Sequence, residues 1–188
     1  MCGRYTGYVD ESDELKTIYT AACAAYPSEE FREGEIFPTN CAPLLGVRGG
    51  KLSPFPAVWG FPGYRGKEVI INARAETAAE RPTFADSLRS RRCIVPTTGY
   101  FEWSKEKRKY LFRQPEKKIL YLAGLYAPCI DSTRFVVLTT AANSSVAEVH
   151  HRMPVVLRDS ELMSWVSDVG SAQVLLFNKR PDLICYEA

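Results

Sequence analysis

The stretch RCIVPTTGYFEW at residues 92–103 is rich in β-branched and aromatic residues. Such residues favour a strand, because their side chains pack well on a half-buried pleated surface. Three further segments of this kind follow at residues 110–114, 119–126 and 135–140, with turn-like stretches between them. No long helix alternates with them, as the crossovers of a parallel sheet would require. The pattern predicts one α+β domain with mainly antiparallel strands.

Weaker patterns extend this prediction to the rest of the chain. From Asp10 to Tyr26, apolar residues share one helical stripe and acidic residues fill the first turn, which predicts a helix. Gly49-Gly50 separates two strand-like segments and predicts a hairpin, whose second arm contains two prolines and is therefore expected at a sheet edge. The other predicted elements are strands at 68–74 and 155–157 and helical turns at 82–88, 144–149 and 160–166.

Length and composition are those of a globular domain. The chain has 188 residues, of which 46% are hydrophobic and 24% are charged, enough for one domain with a sizeable core. No apolar run approaches the roughly 20 residues of a membrane span, and the first residues lack a signal-peptide pattern. We therefore expect a cytoplasmic protein.

Six cysteines are spread along the chain without a C-x-x-C pair, and there are only two histidines. These spacings argue against a structural zinc site. An even number of cysteines allows disulfides, but without an export signal we interpret them mostly as buried thiols.

Charge is unevenly distributed, although the net charge is only +2. Residues 1–40 carry three basic and eight acidic side chains, whereas residues 81–118 carry eleven basic and four acidic ones. Such a positive region can guide a polyanion, and it can equally be a solvated face. The sequence leaves both interpretations open.

Cys2 directly follows Met1, so removal of one methionine would make this cysteine the amino terminus. An α-amine has an ordinary pKa of about 7.7–8.0, against about 10.4 for lysine, so far more of it is unprotonated at neutral pH. Such an amine can condense with an aldehyde, and the neighbouring thiol can then close a five-membered ring. The alternative is a small, buried cysteine that happens to follow the start.

Other positions carry side chains suited to this chemistry. Asn72 and Arg74 share one face of a predicted strand, where they would suit a carbonyl and a phosphate, or would simply face water. Glu102 lies among aromatic residues, where burial would raise its pKa and make it a proton shuttle; an amphipathic sheet would instead turn it to solvent. Of the adjacent His150 and His151, one is expected to transfer protons.

These motifs occur together in the order and spacing of one protein family. The chain resembles the SOS response-associated peptidase (SRAP) domain over nearly its whole length. The motifs that carry the resemblance are Met1-Cys2-Gly3-Arg4, Asn40-Cys41-Ala42-Pro43, Trp59-Gly60-Phe61-Pro62, Ile71-Asn72-Ala73-Arg74-Ala75-Glu76-Thr77, Gly99-Tyr100-Phe101-Glu102-Trp103, Thr139-Thr140-Ala141-Ala142 and His150-His151-Arg152-Met153-Pro154.

The resemblance implies a fold and an activity. The fold is a single domain over residues 1–188, with a mainly antiparallel, bifurcated β-sheet curled into a pseudo-barrel and a few peripheral helices. The activity is single-turnover covalent chemistry on single-stranded DNA, without a cofactor or metal. Mature Cys2 would form a thiazolidine cross-link with an abasic site and shield the lesion in the DNA damage (SOS) response. A monomer is expected, nucleoid-associated when bound to DNA in a bacterium.

The resemblance also assigns roles to the candidate catalytic residues. Cys2 supplies the amine and the thiol, and Asn72 holds the sugar or polarises its oxygen. Glu102 orients the amine and moves protons during imine formation. His150, rather than His151, matches the family histidine that protonates the sugar ring oxygen as it opens.

DNA contacts are implied at Arg4, Tyr64, Arg74, Thr139 and Arg152. The guanidinium groups suit phosphate oxygens, which they can bind bidentately. Tyr64 stands in a loop where the family commonly has a tryptophan that stacks on bases at a junction of single- and double-stranded DNA.

Two alternatives of other classes stay open. One is a thiol (auto)peptidase with Cys2 as the nucleophile and His150 or Glu102 as the base. The other is a non-catalytic single-stranded DNA-binding module that uses the basic segment and exposed aromatic residues.

Overall fold

The computed structural model describes residues 2–63 and 68–188, which form fifteen strands, five α-helices and two 3₁₀ turns. The strands are β1 (Arg4–Gly7), β2 (Gly34–Ile36), β3 (Cys41–Arg48), β4 (Lys51–Trp59), β5 (Phe61–Pro62), β6 (Val69–Ile70), β7 (Asn72–Arg74), β8 (Arg92–Thr97), β9 (Gly99–Trp103), β10 (Lys109–Arg113), β11 (Leu120–Pro128), β12 (Thr133–Ala141), β13 (Arg152–Pro154), β14 (Val156–Leu157) and β15 (Ile184–Glu187). The helices are α1 (Asp13–Ala25), α2 (Pro82–Ser90), α3 (Ser144–Ala147), α4 (Leu162–Ser167) and α5 (Val169–Leu175), with 3₁₀ turns at Val9–Glu11 and Asp159–Glu161.

The strands form two main sheets and a small β5–β6 ribbon. The first sheet has the order β15-β10-β9-β1-β2 and is antiparallel. The second has the order β13-β12-β4-β3-β8-β11-β14, and β12 also pairs with β11, so five strands close into a ring. Strand β12 runs parallel to β4 and β7. The predicted α+β fold with a curled sheet is confirmed, and the second sheet is mixed.

The ring strands β8, β11 and β12 are buried on both faces over most of their length, which explains their continuous apolar sequence, whereas most of β4 is half-buried. Along β12, Val136 and Leu138 contact one core, and Phe135 and Val137 contact another, as the two-residue period of a strand requires. The first core is completed by helix residues, namely Leu15, Leu88 and Trp165. The second core is completed by residues of the first sheet, namely Tyr5, Tyr100 and Phe112.

The predicted strand at 92–103 is two strands that belong to different sheets. At the corner between β8 and β9, Thr97 Oγ1 donates to Thr6 O at 2.6 Å and accepts from the Gly99 N–H at 3.0 Å. A glycine is needed here because a Cβ at residue 99 would lie 2.7 Å from Phe112 O. The corner carries Glu102 out of the ring and places its strand beside β1.

The predicted strand at 68–74 is also divided. Ile71 O accepts hydrogen bonds from Trp59 Nε1 at 3.0 Å and from the Val137 N–H at 3.0 Å. These two donors hold the chain between β6, which pairs with β5, and β7, which pairs with β12. The side chains of Asn72 and Arg74 still share a face, as predicted.

The predicted hairpin is confirmed, with Gly49 and Gly50 at φ of 58° and 75°. The prediction that its second arm is an edge strand is wrong at one end. Strand β4 pairs with β12 through Val58 and Trp59, whereas its prolines lie earlier, where β4 pairs only with β3. The missing proline donors are therefore confined to the part of β4 that has β3 as its one neighbouring strand.

Helix prediction was correct in position and less accurate at the ends. The predicted start at Asp10 is a 3₁₀ turn, and α1 begins at Asp13, where Ser12 Oγ accepts from the Leu15 N–H at 3.3 Å. Helices α2, α3 and α4 fall in predicted segments, whereas β1, β2, β5, β13, β15 and α5 were not predicted. Within the described residues, no helix combines the length and apolar character needed to cross a membrane.

The acidic and basic segments partly neutralise each other. Lys109 Nζ lies 2.8 Å from Glu35, and Arg113 lies 2.7 Å from Glu11. Arg92 is buried, and its guanidinium donates to four main-chain carbonyls in the last turns of α2 and α4. These three of the eleven basic side chains of residues 81–118 are therefore held by protein groups.

Candidate active site

Cys2 lies in the core between the two sheets, directly before β1. Its side chain is fully buried, and its thiol faces Arg4 O at 3.7 Å. Burial, and then the charge of Glu102, raise the pKa of the Cys2 thiol well above its ordinary value. Cys2 is therefore a neutral thiol at physiological pH. The expectation of mostly buried thiols is correct for only two of the six cysteines. All six are unbonded; Cys2 and Cys93 are buried, Cys41 and Cys129 are half-buried, and Cys23 and Cys185 are exposed.

Asn72 contacts Cys2 directly. Asn72 Nδ2 donates a hydrogen bond to Cys2 O at 2.8 Å, which joins β7 to the amino-terminal segment. Asn72 Oδ1 is buried and accepts no hydrogen bond from the described residues. A buried acceptor without a donor is costly. It is therefore well placed to receive an N–H or O–H group of a bound molecule.

Glu102 is buried in the same core, with 1% of its surface exposed. The alternative that it faces solvent is wrong, because β9 turns this face toward the second core. Burial raises the pKa of Glu102 from 4.5 to about 7. A carboxyl with this pKa exists in both protonation states near neutrality, so it can both accept and donate a proton.

His150 precedes β13 and contacts the main chain of Arg152. Its Nδ1 lies 3.0 Å from the Arg152 N–H. A backbone N–H can only donate, so when Nδ1 accepts this bond the neutral ring carries its proton on Nε2; a protonated Nδ1 instead faces Arg152 O at 3.2 Å. Burial lowers the pKa of His150. His151 stacks on it, with ring centroids 4.5 Å apart.

A groove of about 710 Å³ opens beside this histidine. It is lined by Trp103, the residue after Glu102, and by residues around His150 and His151. The groove thus connects the end of β9 with the histidine segment. It gives the buried cluster a neighbouring space that a polymer or sugar could occupy.

Arg152 is held by protein groups. Its guanidinium forms a bidentate ion pair with Glu76, at 2.6 and 2.8 Å, and donates to Thr139 O at 2.7 Å. Thr139 is fully buried, and its hydroxyl donates to Ala73 O at 3.4 Å. The predicted DNA contact by the Thr139 side chain is therefore not supported by its placement. Thr139 and Glu76 instead tie the histidine segment to the strand that carries Asn72.

Arg4 and Arg74 differ in how they are held. Arg4 pairs with Glu35 at 3.0 Å and lies over the rings of Phe37 and Trp103, 4.3 and 5.3 Å from their centroids. Arg74 is exposed and has no side-chain partner within residues 2–63 and 68–188. Of the three predicted phosphate ligands, Arg74 can bind a phosphate without first breaking an ion pair, whereas Arg4 and Arg152 are each paired with a glutamate.

Tyr64 lies outside the described residues.

The sequence interpretation missed Glu76, although this residue stands in the same motif as Asn72 and Arg74. The available signal was that Glu76 is the single carboxylate among the motifs that contain an arginine, so an ion pair with one of those arginines could have been predicted. Among the described residues, no group of three His, Cys, Asp or Glu side chains is arranged to hold a metal ion.

The buried Glu102 predicts a stability change of defined sign. Because its pKa is higher in the folded protein than in the unfolded chain, stability falls as pH rises from 4.5 to about 7. Glu102→Gln removes this cost, so we expect the free energy of unfolding to rise by up to about 3 kcal/mol at pH 8. At pH 4 the variant and the parent should be equal. Urea unfolding at both pH values measures this, and an equal change at both would contradict it.

Fold and site together define an α+β protein in which a buried cysteine contacts an amide, a buried carboxyl lies close enough for its charge to act on the thiol, and a histidine lines an adjoining groove. The sequence matches the family described as SOS response associated peptidase (SRAP) over residues 1–186. The chain therefore belongs to the SRAP family.

Curated relatives agree with this assignment, and a solved structure shares the fold. The chain is 31% identical over 195 residues to the abasic site processing protein YoqW of Bacillus subtilis, covering 89% of this chain and 80% of the relative. It is 27% identical to the abasic site processing protein YedK of Escherichia coli, covering 88% and 79%. A solved protein from Bordetella bronchiseptica shares the fold, with a TM-score of 0.82 at 20% identity over 100% of this chain and 99% of that one.

Proposed function

We propose that this protein processes abasic sites in DNA and does so by bonding covalently to them through Cys2. The observation that carries the proposal is the contact of Cys2 with Asn72, together with a buried Glu102 whose charge acts on the Cys2 thiol. The relatives YoqW and YedK, both named abasic site processing proteins, support the class of substrate.

The chemistry needs Cys2 as the amino terminus, with Met1 removed. The α-amine attacks the aldehyde carbon of the ring-opened deoxyribose and forms a carbinolamine. Loss of water gives a protonated imine, and Cys2 Sγ then bonds to the same carbon as the thiol loses its proton and the C=N π pair becomes the lone pair of nitrogen. The product is a thiazolidine ring, and one water is released overall. Because the thiol is neutral, the amine is the first nucleophile.

Glu102 supports two proton transfers in this sequence. Its carboxylate accepts the proton that the α-ammonium must lose before attack. Its protonated form then donates to the carbinolamine hydroxyl, which leaves as water. A pKa of about 7 suits both directions.

Asn72 and His150 act on the sugar. Asn72 fixes Cys2 through its amide N–H, and its Oδ1 accepts a hydrogen bond from the amine or the carbinolamine hydroxyl. The His150 ring, with its proton on Nε2, donates to the sugar ring oxygen as the cyclic form opens. The groove that His150 shares with Trp103 provides the space for the sugar and its flanking phosphates.

A direct experiment tests the proposal. The protein is first shown by intact mass to begin at Cys2, and it is then incubated with a single-stranded oligonucleotide that contains one abasic site. We expect an adduct that survives denaturation without borohydride, and none with an intact oligonucleotide. Failure of a protein with a verified Cys2 terminus to form this adduct would refute the proposal.

Arg74 is proposed to bind a phosphate of the DNA strand. Arg74→Ala should weaken binding of an uncleaved single strand by roughly three- to tenfold and reduce the slope of log affinity against log salt by about 0.7. Arg48→Ala is the matched control, because Arg48 is also exposed but lies at the far end of the β3–β4 hairpin. Fluorescence anisotropy at several salt concentrations measures both. Equal effects of the two variants would argue against a specific contact.

The thiol peptidase alternative is disfavoured by the state of the thiol. Catalytic cysteines need a lowered thiol pKa, whereas burial raises the pKa of Cys2. The test is mass spectrometry of a chain with added residues before Cys2, with and without Glu102→Ala; removal of the extension that depends on Glu102 would favour the peptidase.

The non-catalytic module is disfavoured by the ion pairs of the basic segment with Glu11 and Glu35. Equal and fully reversible binding of intact and abasic strands would favour it.

A further inference from the structure

Tyr100 shares the core face of β9 with Glu102. Side chains two residues apart on a strand point to the same side, so these two face the same core. Tyr100 also pairs with Tyr5 on the neighbouring strand β1, and directly opposed residues of an antiparallel pair share a face. Tyr5, Tyr100 and Cys2 belong to one buried cluster, and each is at most 1% exposed. The sequence interpretation gave Tyr100 no role.

The hydroxyl of Tyr100 is an unexplained polar group in this core. It is buried and forms no hydrogen bond within the described part of the chain, which a packed core does not tolerate without cost. Its ring is fixed by stacking on Phe112, with centroids 5.3 Å apart and planes 15° apart. Burial raises the pKa of Tyr100, and the charges of Cys2 and Glu102 raise it further. The hydroxyl therefore lies within electrostatic range of both groups.

Tyr5 is a close comparison. Its hydroxyl is also buried and forms no hydrogen bond with a described residue. Burial, followed by the charges of Tyr19 and of cysteines that include Cys2, raises the pKa of Tyr5, but Glu102 is not among the causes. Of the two phenols, Tyr100 lies on the same strand and the same face as Glu102, whereas Tyr5 lies on the neighbouring strand β1.

We propose that Tyr100 is a further catalytic residue whose hydroxyl carries the thiol proton of Cys2 to Glu102 during ring closure. The inference rests on the proposed function, since it assigns a route to a proton that thiazolidine formation must move. A neutral thiol adds poorly to an imine until it loses that proton. A hydroxyl can accept one proton while it donates another, so a phenol that faces the same core as the thiol and the carboxyl, and has no hydrogen-bond partner among the described residues, suits the transfer.

The step balances with no additional reactant. The sulfur lone pair forms the new bond to the carbon of the protonated imine, and the C=N π pair becomes the lone pair of the ring nitrogen. The thiol proton passes to the Tyr100 oxygen while the Tyr100 proton passes to the Glu102 carboxylate. The products are a neutral thiazolidine, a protonated Glu102 and an unchanged Tyr100.

Tyr100→Phe tests this route because it removes only the hydroxyl. In a time course with abasic single-stranded DNA, borohydride added at each point reduces any imine, whose adduct is then heavier than the thiazolidine by two hydrogens. We expect imine formation at the parental rate and ring closure slowed by about tenfold, so that the reducible imine accumulates. Thermal stability should be unchanged or higher, because the lost hydroxyl had no partner in the described fold.

Tyr5→Phe is the matched control, since it removes a second unpartnered phenolic hydroxyl from the same core. It should leave the ratio of imine to thiazolidine at the parental value. Ring closure at the parental rate in Tyr100→Phe would overturn the inference, as would equal slowing in both variants. Neither result would affect the proposed function, whose failure appears separately as no adduct from the parent protein.

Discussion

Cys2→Ala is expected to abolish the denaturation-resistant adduct while leaving a reactive amine in place. Alanine is as suited as cysteine to a mature amino terminus, so this variant still presents an α-amine with an ordinary pKa of about 7.7–8.0. The amine can form an imine with the sugar aldehyde, but no thiol is available to close the ring. The imine hydrolyses when the protein is denatured, so the adduct should fall below detection.

Borohydride separates the roles of amine and thiol in this experiment. With the reductant present, Cys2→Ala should yield a stable secondary amine linked to DNA, whereas the parent protein needs no reductant. Cys2→Ser is the closer control, because it keeps an oxygen in place of sulfur and an amine in the same position. Intact mass must show that Met1 is absent from each variant. A borohydride-independent adduct in Cys2→Ala would place the covalent bond on another residue.

The strands were the part of the fold most accessible from sequence. Segments such as 119–126 are β-branched, aromatic and apolar throughout, and these properties report burial on both faces. Their partners were not accessible, because the parallel pairing of β12 with β4 and β7 joins segments more than 60 residues apart. The break at Thr98 was missed for another reason: threonine favours strands, and here hydroxyl hydrogen bonds around Thr97 turn the chain into a second sheet.

The site shows a similar division. Cys2, Asn72 and Glu102 could be selected because their chemistry is unusual at those positions, and the structure places all three at one core. The alternation of side chains along β9 predicts which residues share a face with Glu102. It does not predict which of the two faces points into the core, because that depends on the corner at Gly99. The predicted phosphate ligands were judged by residue type alone. Arg152 and Arg4 are engaged with Glu76 and Glu35, and such ion pairs depend on long-range contacts that the sequence does not display.

Glu102→Gln is expected to slow adduct formation by roughly 10²- to 10⁴-fold, the usual contribution of a general acid–base group. Glutamine preserves the shape of the side chain and removes its ability to exchange a proton. The rate with abasic single-stranded DNA is measured under single-turnover conditions from pH 5.5 to 9. Glu116→Gln is the matched control, since Glu116 is an exposed carboxylate in the turn between β10 and β11. This control should react at the parental rate.

The pH dependence should change together with the rate. In the parent protein the carboxylate takes the proton from the α-ammonium, so the rate should rise with pH around the Glu102 pKa of about 7. In Glu102→Gln the free amine must form unaided, and the midpoint should move up to about 7.7–8.0. The same substitution is expected to stabilise the fold above pH 7, because it removes a buried ionised group. A slower enzyme that is also more stable would show that this carboxyl is kept for chemistry at a cost to folding, whereas a variant that is both slow and destabilised would indicate a structural role instead.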